Sequence, residues 1–215
     1  MAEKLMFFID FDGTISREDV CATMVKRYAR DGWQELNRLW EEGALSTEEC
    51  AGRTLELMDV EPVELEVFFK SMNIDESFLP FVSWANHQDL PLFILSDGYG
   101  NYIKEILSPY KLDIPYYANH LDYDRGWRIK CSYQVEECTK CGVCKTKLIE
   151  ELLKPGYVSV YIGDGYSDIC PAEGCDMVFA KKQLARLCKA KGIPYFDYDS
   201  FDDVQRIVET LWEMG

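Results

Sequence analysis

Asp10 and Asp12 are the first residues in the chain whose types and spacing could do chemistry. They directly follow a short apolar run at residues 5–9, and side chains two residues apart on an extended segment point the same way. Two carboxylates that face one centre repel each other and raise a pKa unless a cation compensates. Because Mg²⁺ prefers oxygen ligands, the pair predicts a magnesium site that contains a reactive carboxylate.

An apolar run that ends in a polar turn occurs twice more in the chain. The run at residues 92–95 ends at Ser96, and the run at residues 157–162 is followed by Asp164 between two glycines. In an open α/β sheet the ligand site lies off the carboxyl ends of the strands, where the strand order reverses. Ser96 and Asp164 are therefore expected to converge with the first pair on one crevice.

Apolar runs and helical segments alternate along most of the chain. This alternation predicts an α/β fold, a Rossmann-like parallel sheet flanked by helices. Weaker strands are expected near residues 116–118 and 177–179. The expected helices cover residues 102–107, 145–153, 182–191 and 201–212.

The stretch at residues 15–86 breaks this alternation. It is far too long for a loop, because structureless loops beyond about 15 residues are uncommon in compact domains. Ser46 begins a capping-box sequence, and Pro62 suits the first turn of a helix. The stretch is therefore expected to form several helices.

These observations predict the domain organisation of the chain. A core domain would comprise residues 1–14 and 87–215, with a small helical domain at residues 15–86 inserted after the first strand. Within the core, residues 121–144 are expected to form an irregular, cysteine-rich insert that contains a short strand at residues 127–130.

The composition restricts the partners. The 215 residues carry a formal net charge of −15, which repels nucleic acid and anionic membranes, so neither is an expected partner. A phosphorylated substrate would need local positive charge from a cation, a lysine or helix N-termini. The nine cysteines and the lack of a secretion signal at the start of the sequence favour reduced thiols and a cytoplasmic protein.

Four motifs in order carry a family resemblance. The string DFDGT that begins at Asp10 resembles the first motif of the haloacid dehalogenase superfamily, Ser96 resembles the second, and the string GDGYSD that begins at Gly163 resembles the fourth. The third motif is a lysine at the start of a later helix, and Lys145 fits it better than Lys147. Together with the helical insertion, the motifs indicate the phosphoserine-phosphatase-like branch of that superfamily.

The resemblance implies a phosphatase mechanism. Asp10 would attack phosphorus and form an aspartyl-phosphate. Asp12 would protonate the leaving alcohol and then activate the hydrolytic water. Ser96 and Lys145 would hold the phosphoryl oxygens.

The resemblance also implies a Mg²⁺ cofactor. The ion would be held by the side chains of Asp10 and Asp164 and by the main-chain carbonyl of Asp12, and it would neutralise the phosphoryl oxygens. Asp168 would support these ligands without binding the ion directly, by holding the metal-bound waters or the lysine in place.

The helical insertion corresponds to the cap domain of that branch, which closes over the site and selects the leaving group. Glu18 follows the first motif where the branch often places a substrate-facing acid, and Asp97 and Gly98 would line the pocket beside the serine. Arg53 is the cap candidate for binding a polar or anionic group of the substrate. Surface pairing of Arg53 with a neighbouring glutamate is an equally good interpretation.

The cysteine-rich insert indicates one group of phosphatases within this branch. Cys131, Cys138, Cys141 and Cys144 resemble an insert in phosphatases that act on 2-hydroxy-3-keto-5-methylthiopentenyl-1-phosphate in methionine salvage. Similar inserts occur in relatives of unassigned substrate, so the pathway does not follow from the insert. The four thiols could hold structural Zn²⁺, carry an iron–sulfur cluster, form a redox dithiol or remain free.

The sequence leaves three possible functions. The best supported is a phosphomonoesterase that hydrolyses a small phosphorylated metabolite, with the methionine-salvage intermediate as one substrate and phosphoserine or another small metabolite as the alternative. A phosphotransferase or mutase is less favoured because no second acceptor site is evident. A non-catalytic module organised by the cysteines is hard to reconcile with the acidic motifs. The oligomeric state is not predicted.

Overall fold

The structure is a computed structural model that describes residues 4–136, 138 and 140–214. Its strands are β1 Lys4–Ile9, β2 Leu92–Tyr99, β3 Tyr116–Tyr123, β4 Trp127–Lys130, β5 Tyr157–Gly163, β6 Met177–Ala180 and β7 Phe196–Asp197. Its helices are α1 Val20–Tyr28, α2 Trp33–Glu41, α3 Thr47–Glu56, α4 Pro62–Ser71, α5 Phe78–His87, α6 Gly100–Leu107, α7 Lys145–Leu152, α8 Ile169–Gly174, α9 Lys182–Lys191 and α10 Phe201–Met214. Within these ranges, no helix has the length and apolarity that a bilayer crossing requires.

The strands form one sheet with the order β4-β3-β2-β1-β5-β6-β7. Every neighbouring pair is parallel except β3 and β4, which form an antiparallel hairpin. Strand β1 lies in the middle, where Phe7 aligns with Leu92 of β2 and with Val160 of β5. The strand order reverses at β1, so the carboxyl ends of β1, β2 and β5 meet at the place where ligands bind in such sheets.

Burial explains why β1 reads as an unbroken apolar run. Its residues from Leu5 to Ile9 are covered on both faces of the sheet, as expected for a central parallel strand flanked by helices. The predicted α/β fold with a Rossmann-like sheet is thus confirmed, with the addition of the antiparallel hairpin and of the two-residue strand β7.

The insertion between β1 and β2 is helical, as predicted. Ser46 caps α3 with a complete capping box, and Pro62 occupies the first turn of α4. Helix α5, however, packs against the core: the ring of Phe81 lies 5.4 Å from that of Phe7 in β1 and 5.2 Å from that of Phe201 in α10. We therefore propose that the cap ends before α5, whereas the sequence analysis extended it to residue 86.

The cysteine-rich segment, which we define as residues 131–144, connects β4 to α7. The predicted insert at 121–144 begins with regular structure, because its first residues complete β3 and form β4. Among its described residues, the cysteine-rich segment forms isolated bridges, such as Tyr133 with Val143. It contacts the cap, since the main-chain N–H of Thr47 donates to the carbonyl of Lys140 at 2.8 Å.

Candidate active site

Three carboxylates meet at the carboxyl edge of the central strands. Asp10 directly follows β1, Asp164 directly follows β5, and Asp168 lies in the turn that leads into α8. One oxygen of each lies within 4.8 Å of the others, and no other such group of three acidic, histidine or cysteine ligands occurs among the described residues. The predicted convergence of Asp10 and Asp164 is therefore seen directly.

Lys145 is the first residue of α7, and its ammonium group lies between two of these carboxylates. Its Nζ atom is 2.6 Å from Oδ1 of Asp10 and 2.6 Å from Oδ1 of Asp168. Burial alone would lower the pKa of Lys145, but the two carboxylates raise it well above its ordinary value, so the lysine is a cation. Lys147 instead lies on the surface and pairs with Glu150.

The Asp168 side chain is completely buried and hydrogen-bonded on both oxygens. The Tyr161 hydroxyl donates to Oδ1 at 2.5 Å, and the main-chain N–H groups of Asp164 and Gly165 donate to Oδ2 at 3.0 and 2.9 Å. These donors hold Asp168 behind Lys145 and leave it no free oxygen for a ligand. The arrangement supports the predicted supporting role of Asp168 rather than direct metal ligation.

Asp12 is held on both oxygens as well. Oδ1 accepts from the main-chain N–H of Val20 at 3.0 Å, and Oδ2 accepts from the Ser96 hydroxyl at 3.2 Å and from the Tyr102 hydroxyl. Burial, with the nearby charge of Asp19, raises the pKa of Asp12 to about 7, although the hydrogen bonds oppose this shift. A carboxyl group with a pKa near neutrality can both donate and accept a proton.

Ser96 is fully buried at the point where its strand turns toward the site. Its hydroxyl accepts the main-chain N–H of Gly98 at 3.0 Å and donates to Asp12. The serine is thus brought beside the predicted acid–base residue, as the sequence analysis expected. The Gly98 backbone lies next to both side chains.

Asp97 links three parts of the chain. Its Oδ1 accepts from the main-chain N–H of Val143 at 2.9 Å, and its Oδ2 accepts from the Thr47 hydroxyl at 3.0 Å. Asn119 donates to the Asp97 carbonyl at 2.7 Å. Because both carboxylate oxygens already accept hydrogen bonds, we propose a linking role for Asp97 in place of the predicted substrate contact.

The cap contacts the turn that follows β5. Trp40 in α2 packs edge-on against Tyr166, with ring centroids 5.5 Å apart, and its indole N–H donates to the Thr47 hydroxyl at 3.0 Å. Glu18 and Arg53 are exposed, and neither side chain makes a hydrogen bond or ion pair with the described residues. The structure does not bring them to the carboxylates, and their predicted roles in substrate binding stay predictions.

Lys182 is a site residue that the sequence analysis missed. Its Nζ atom lies 2.8 Å from Oδ2 of Asp164 and 3.0 Å from the carbonyl oxygen of Gly13. Gly13 has a φ of 74°, and a Cβ atom there would collide with the Asp164 carboxylate, which explains the glycine in the first motif. The position of Lys182 at the start of α9 was visible in the sequence, but its long-range partner was not.

Structural Zn²⁺ is one of the interpretations that the spacing of the four cysteines leaves open. In the described part of the chain, no three sulfur atoms of Cys131, Cys138, Cys141 and Cys144 lie within 4.8 Å of one another. Burial raises the pKa of Cys131 and that of Cys141 to about 12, which keeps both thiols protonated. Structural Zn²⁺ at this cluster therefore has no support, because a tetrahedral thiolate site needs its sulfurs around one point.

The charges of the site suit a magnesium ion. Four carboxyl groups outnumber two ammonium groups here, so the site carries an excess of negative charge that favours a divalent cation with oxygen ligands. These groups are Asp10, Asp12, Asp164, Asp168, Lys145 and Lys182. Burial, with the charge of Asp168, raises the pKa of Asp10 well above its usual range, although Lys145 opposes this shift, as expected for crowded buried carboxylates.

Comparisons with known proteins agree with this geometry. A phosphatase of Brevibacillus brevis named 2-hydroxy-3-keto-5-methylthiopentenyl-1-phosphate phosphatase is 30% identical over 98% of both chains. A protein of the same name from Bacillus velezensis is 29% identical over 100% of this chain and 94% of its own.

Solved structures of phosphoserine phosphatase have the same fold. A complex described as a phospho-aspartyl intermediate analogue has a TM-score of 0.74 at 19% identity, covering 95% of this chain and 99% of that one. A substrate-bound complex has a TM-score of 0.73 at 18% identity, covering 96% and 99%. Residues 7–173, which include all four motifs, match the family described as haloacid dehalogenase-like hydrolase. The chain belongs to this haloacid dehalogenase-like hydrolase family.

Proposed function

We propose that the chain is a Mg²⁺-dependent phosphomonoesterase that hydrolyses a small phosphorylated metabolite through an aspartyl-phosphate on Asp10. The observation that carries the proposal is the buried ammonium group of Lys145, 2.6 Å from both Asp10 and Asp168. A cation held beside a carboxylate at the end of a central strand can stabilise the charge of a phosphoryl group transferred to that carboxylate.

Each residue has a defined task in the proposed reaction. Asp10 attacks phosphorus as the P–O bond to the leaving alcohol breaks, and Asp12 gives its proton to that alkoxide. In the second half, Asp12 takes a proton from water, which attacks the aspartyl-phosphate, releases inorganic phosphate and restores Asp10. Ser96 and Lys145 donate hydrogen bonds to phosphoryl oxygens throughout, so the stabilising dipoles and charge are in place before the reaction.

The metal ion would be held by the side chains of Asp10 and Asp164 and by the main-chain carbonyl of Asp12. The excess negative charge of the site favours its binding. When bound, Mg²⁺ supplies charge that offsets the repulsion between phosphate and carboxylates. Lys182 orients Asp164 from the opposite side, and Asp168 keeps Lys145 in place.

For the substrate we propose 2-hydroxy-3-keto-5-methylthiopentenyl-1-phosphate, on the strength of full-length relatives that carry this activity in their names. Phosphoserine is the second candidate, because the solved structures that the fold resembles are phosphoserine phosphatases. A cytoplasmic location, favoured by the sequence, belongs to the same proposal.

The test is phosphate release in the presence of Mg²⁺ from these two compounds and from p-nitrophenyl phosphate. We expect a kcat/KM for the physiological ester at least about 100-fold above that for p-nitrophenyl phosphate. Asp10→Asn should abolish turnover, whereas Asp113→Asn, at an exposed loop position, should not. Full activity of the Asp10 variant would refute the nucleophile, and equal rates on all esters would refute the assigned substrate.

A further inference from the structure

Tyr102 lies outside the four motifs, yet its hydroxyl contacts the acid–base residue. The side chain is fully buried in α6, and its hydroxyl donates a hydrogen bond to Oδ2 of Asp12. The main-chain N–H of Val20 holds the other oxygen at 3.0 Å. With donors on both oxygens, the rotation and the plane of the carboxyl group are set.

The backbone at Gly98 is shaped for this contact. A Cβ atom at that position would overlap the Tyr102 hydroxyl and lie 2.5 Å from Oδ2 of Asp12. Such overlap cannot be relieved by a small shift, since the tyrosine ring is enclosed on all sides. Gly98 therefore serves the contact between Tyr102 and Asp12, which accounts for a glycine that the sequence analysis assigned to the substrate pocket.

Three aromatic neighbours fix the hydroxyl in space. The Tyr102 ring lies 5.5 Å from Phe69 of the cap helix α4, 5.9 Å from Phe11 of the catalytic turn and 6.1 Å from Tyr99. A hydroxyl on a ring packed in this way loses little further freedom when it forms a hydrogen bond. In apolar surroundings, a hydrogen bond to a carboxylate is also stronger than one in water.

We propose that Tyr102 is a positioning residue that holds Asp12 in the orientation from which it passes protons to the leaving group and from water. The inference rests on the proposed function, because it assigns a support to the acid–base residue of that reaction. The Ser96 hydroxyl cannot substitute for it, since it lies 3.2 Å from the same oxygen and must also serve the phosphoryl group. Tyr102 thus acts through Asp12 and not on the substrate.

The first experiment compares Tyr102→Phe with Tyr99→Phe, which removes a hydroxyl from the neighbouring buried ring. For Tyr102→Phe we expect a fall in kcat of about 10- to 100-fold with KM within about twofold of the parent, as for the loss of one hydrogen bond to a charged group. The Tyr99 variant should stay within about threefold in both constants, and both variants should keep the urea unfolding midpoint of the parent within about 0.5 M.

The second experiment repeats the change in an Asp12→Asn background. If Tyr102 acts through Asp12, adding Tyr102→Phe should leave the residual rate of Asp12→Asn unchanged. The loss from Tyr102→Phe alone should also be larger in kcat/KM for phosphoserine than for p-nitrophenyl phosphate, whose leaving group needs little protonation. A general loss of structure would lower kcat/KM equally for both esters.

The outcomes separate the two proposals. Equal losses on both esters, or a further loss in the Asp12→Asn background, would overturn the role of Tyr102. A parent protein without phosphatase activity, or an Asp12→Asn variant with full activity, would instead refute the proposed function. The positioning role would be established if Tyr102→Phe lowered activity only in the protein that keeps Asp12, and lowered it more for the ester with the poorer leaving group.

Discussion

Replacing Lys145 by methionine should separate the stabilising and catalytic effects of the buried cation. Methionine has a similar length and no charge, so the substitution leaves the cavity filled while it removes the partner of two carboxylates. The lysine side chain is 2% exposed, and those of Asp10 and Asp168 are 7% and 0% exposed. Two buried carboxylates would then face each other without compensation.

The expected destabilisation follows from this burial. Removing one partner of a buried ion pair costs about 3–5 kcal/mol, because the remaining charge stays buried and unpaired. With a urea m-value of about 2–3 kcal/mol per molar, the unfolding midpoint should fall by about 1–2 M in EDTA. A double variant that adds Asp168→Asn should recover part of the loss, because it removes one of the two repelling charges.

Lys147→Met is the matched control. Lys147 is only two residues away on the same helix, but its side chain is 50% exposed and pairs with Glu150 at 3.4 Å, so its loss should cost about 0–1 kcal/mol. In phosphate-release assays with Mg²⁺, the Lys145 variant should lose at least about 100-fold in kcat, and the control should keep its activity. Equal stability and activity of the two variants would refute the assigned role of Lys145.

Two other perturbations test the link between cap and core and the charge of Asp12. Thr47→Val removes the hydroxyl that donates to Asp97, so kcat/KM should fall about 3- to 30-fold in steady-state assays. The control Thr210→Val, at an exposed position of α10, should change nothing; equal values for the two variants would refute the link. The second perturbation is a change of pH. Burial raises the pKa of Asp12 from 3.8 to about 7, so between these pH values the folded metal-free protein holds a proton that the unfolded chain has released. The free energy of unfolding therefore falls as the pH rises toward about 7. Urea midpoints in EDTA should therefore fall between about pH 4 and about pH 7 and fall less in Asp12→Asn; parallel curves would contradict the shift.

The sheet and the catalytic aspartates could be predicted because both depend on local signals. A central strand buried on both faces must be apolar throughout, so β1 was visible as a run that stops at Asp10. The ends of β2 and β5 were visible for the same reason. Strand β7 was missed because it pairs through only two residues, Phe196 and Asp197, and has no run of its own.

The residues that hold the catalytic groups could not be predicted, because their partners are distant in sequence. Tyr102 reads as one apolar position of an amphipathic helix, although its hydroxyl reaches Asp12, 90 residues earlier. Lys182 reads as a surface charge at a helix start, and its contact with Asp164 follows from how α9 packs beside β5. Asp97 was taken for a pocket residue, since no local pattern signals its bond to Thr47.

Of the interpretations left open for the cysteines, structural zinc has no support in the structure, and the sequence could not decide this for a related reason. Spacing along the chain showed that Cys138, Cys141 and Cys144 could approach one another, but spacing alone does not direct three sulfur atoms to a common point. The direction of each side chain depends on the irregular backbone of the cysteine-rich segment, for which no periodic pattern exists.

The route of the cysteine-rich segment limits how modular this enzyme is. The segment leaves the sheet after β4, accepts a hydrogen bond from the cap at Lys140, donates one to Asp97 through Val143, and ends at the residue before Lys145. A chimera that receives only the inserted helices of a relative would therefore combine the cap of one protein with the cysteine-rich segment of another, although the two contact each other. To exchange substrate preference by recombination, residues 131–144 must be transferred together with the cap, while Lys145 of the recipient is kept.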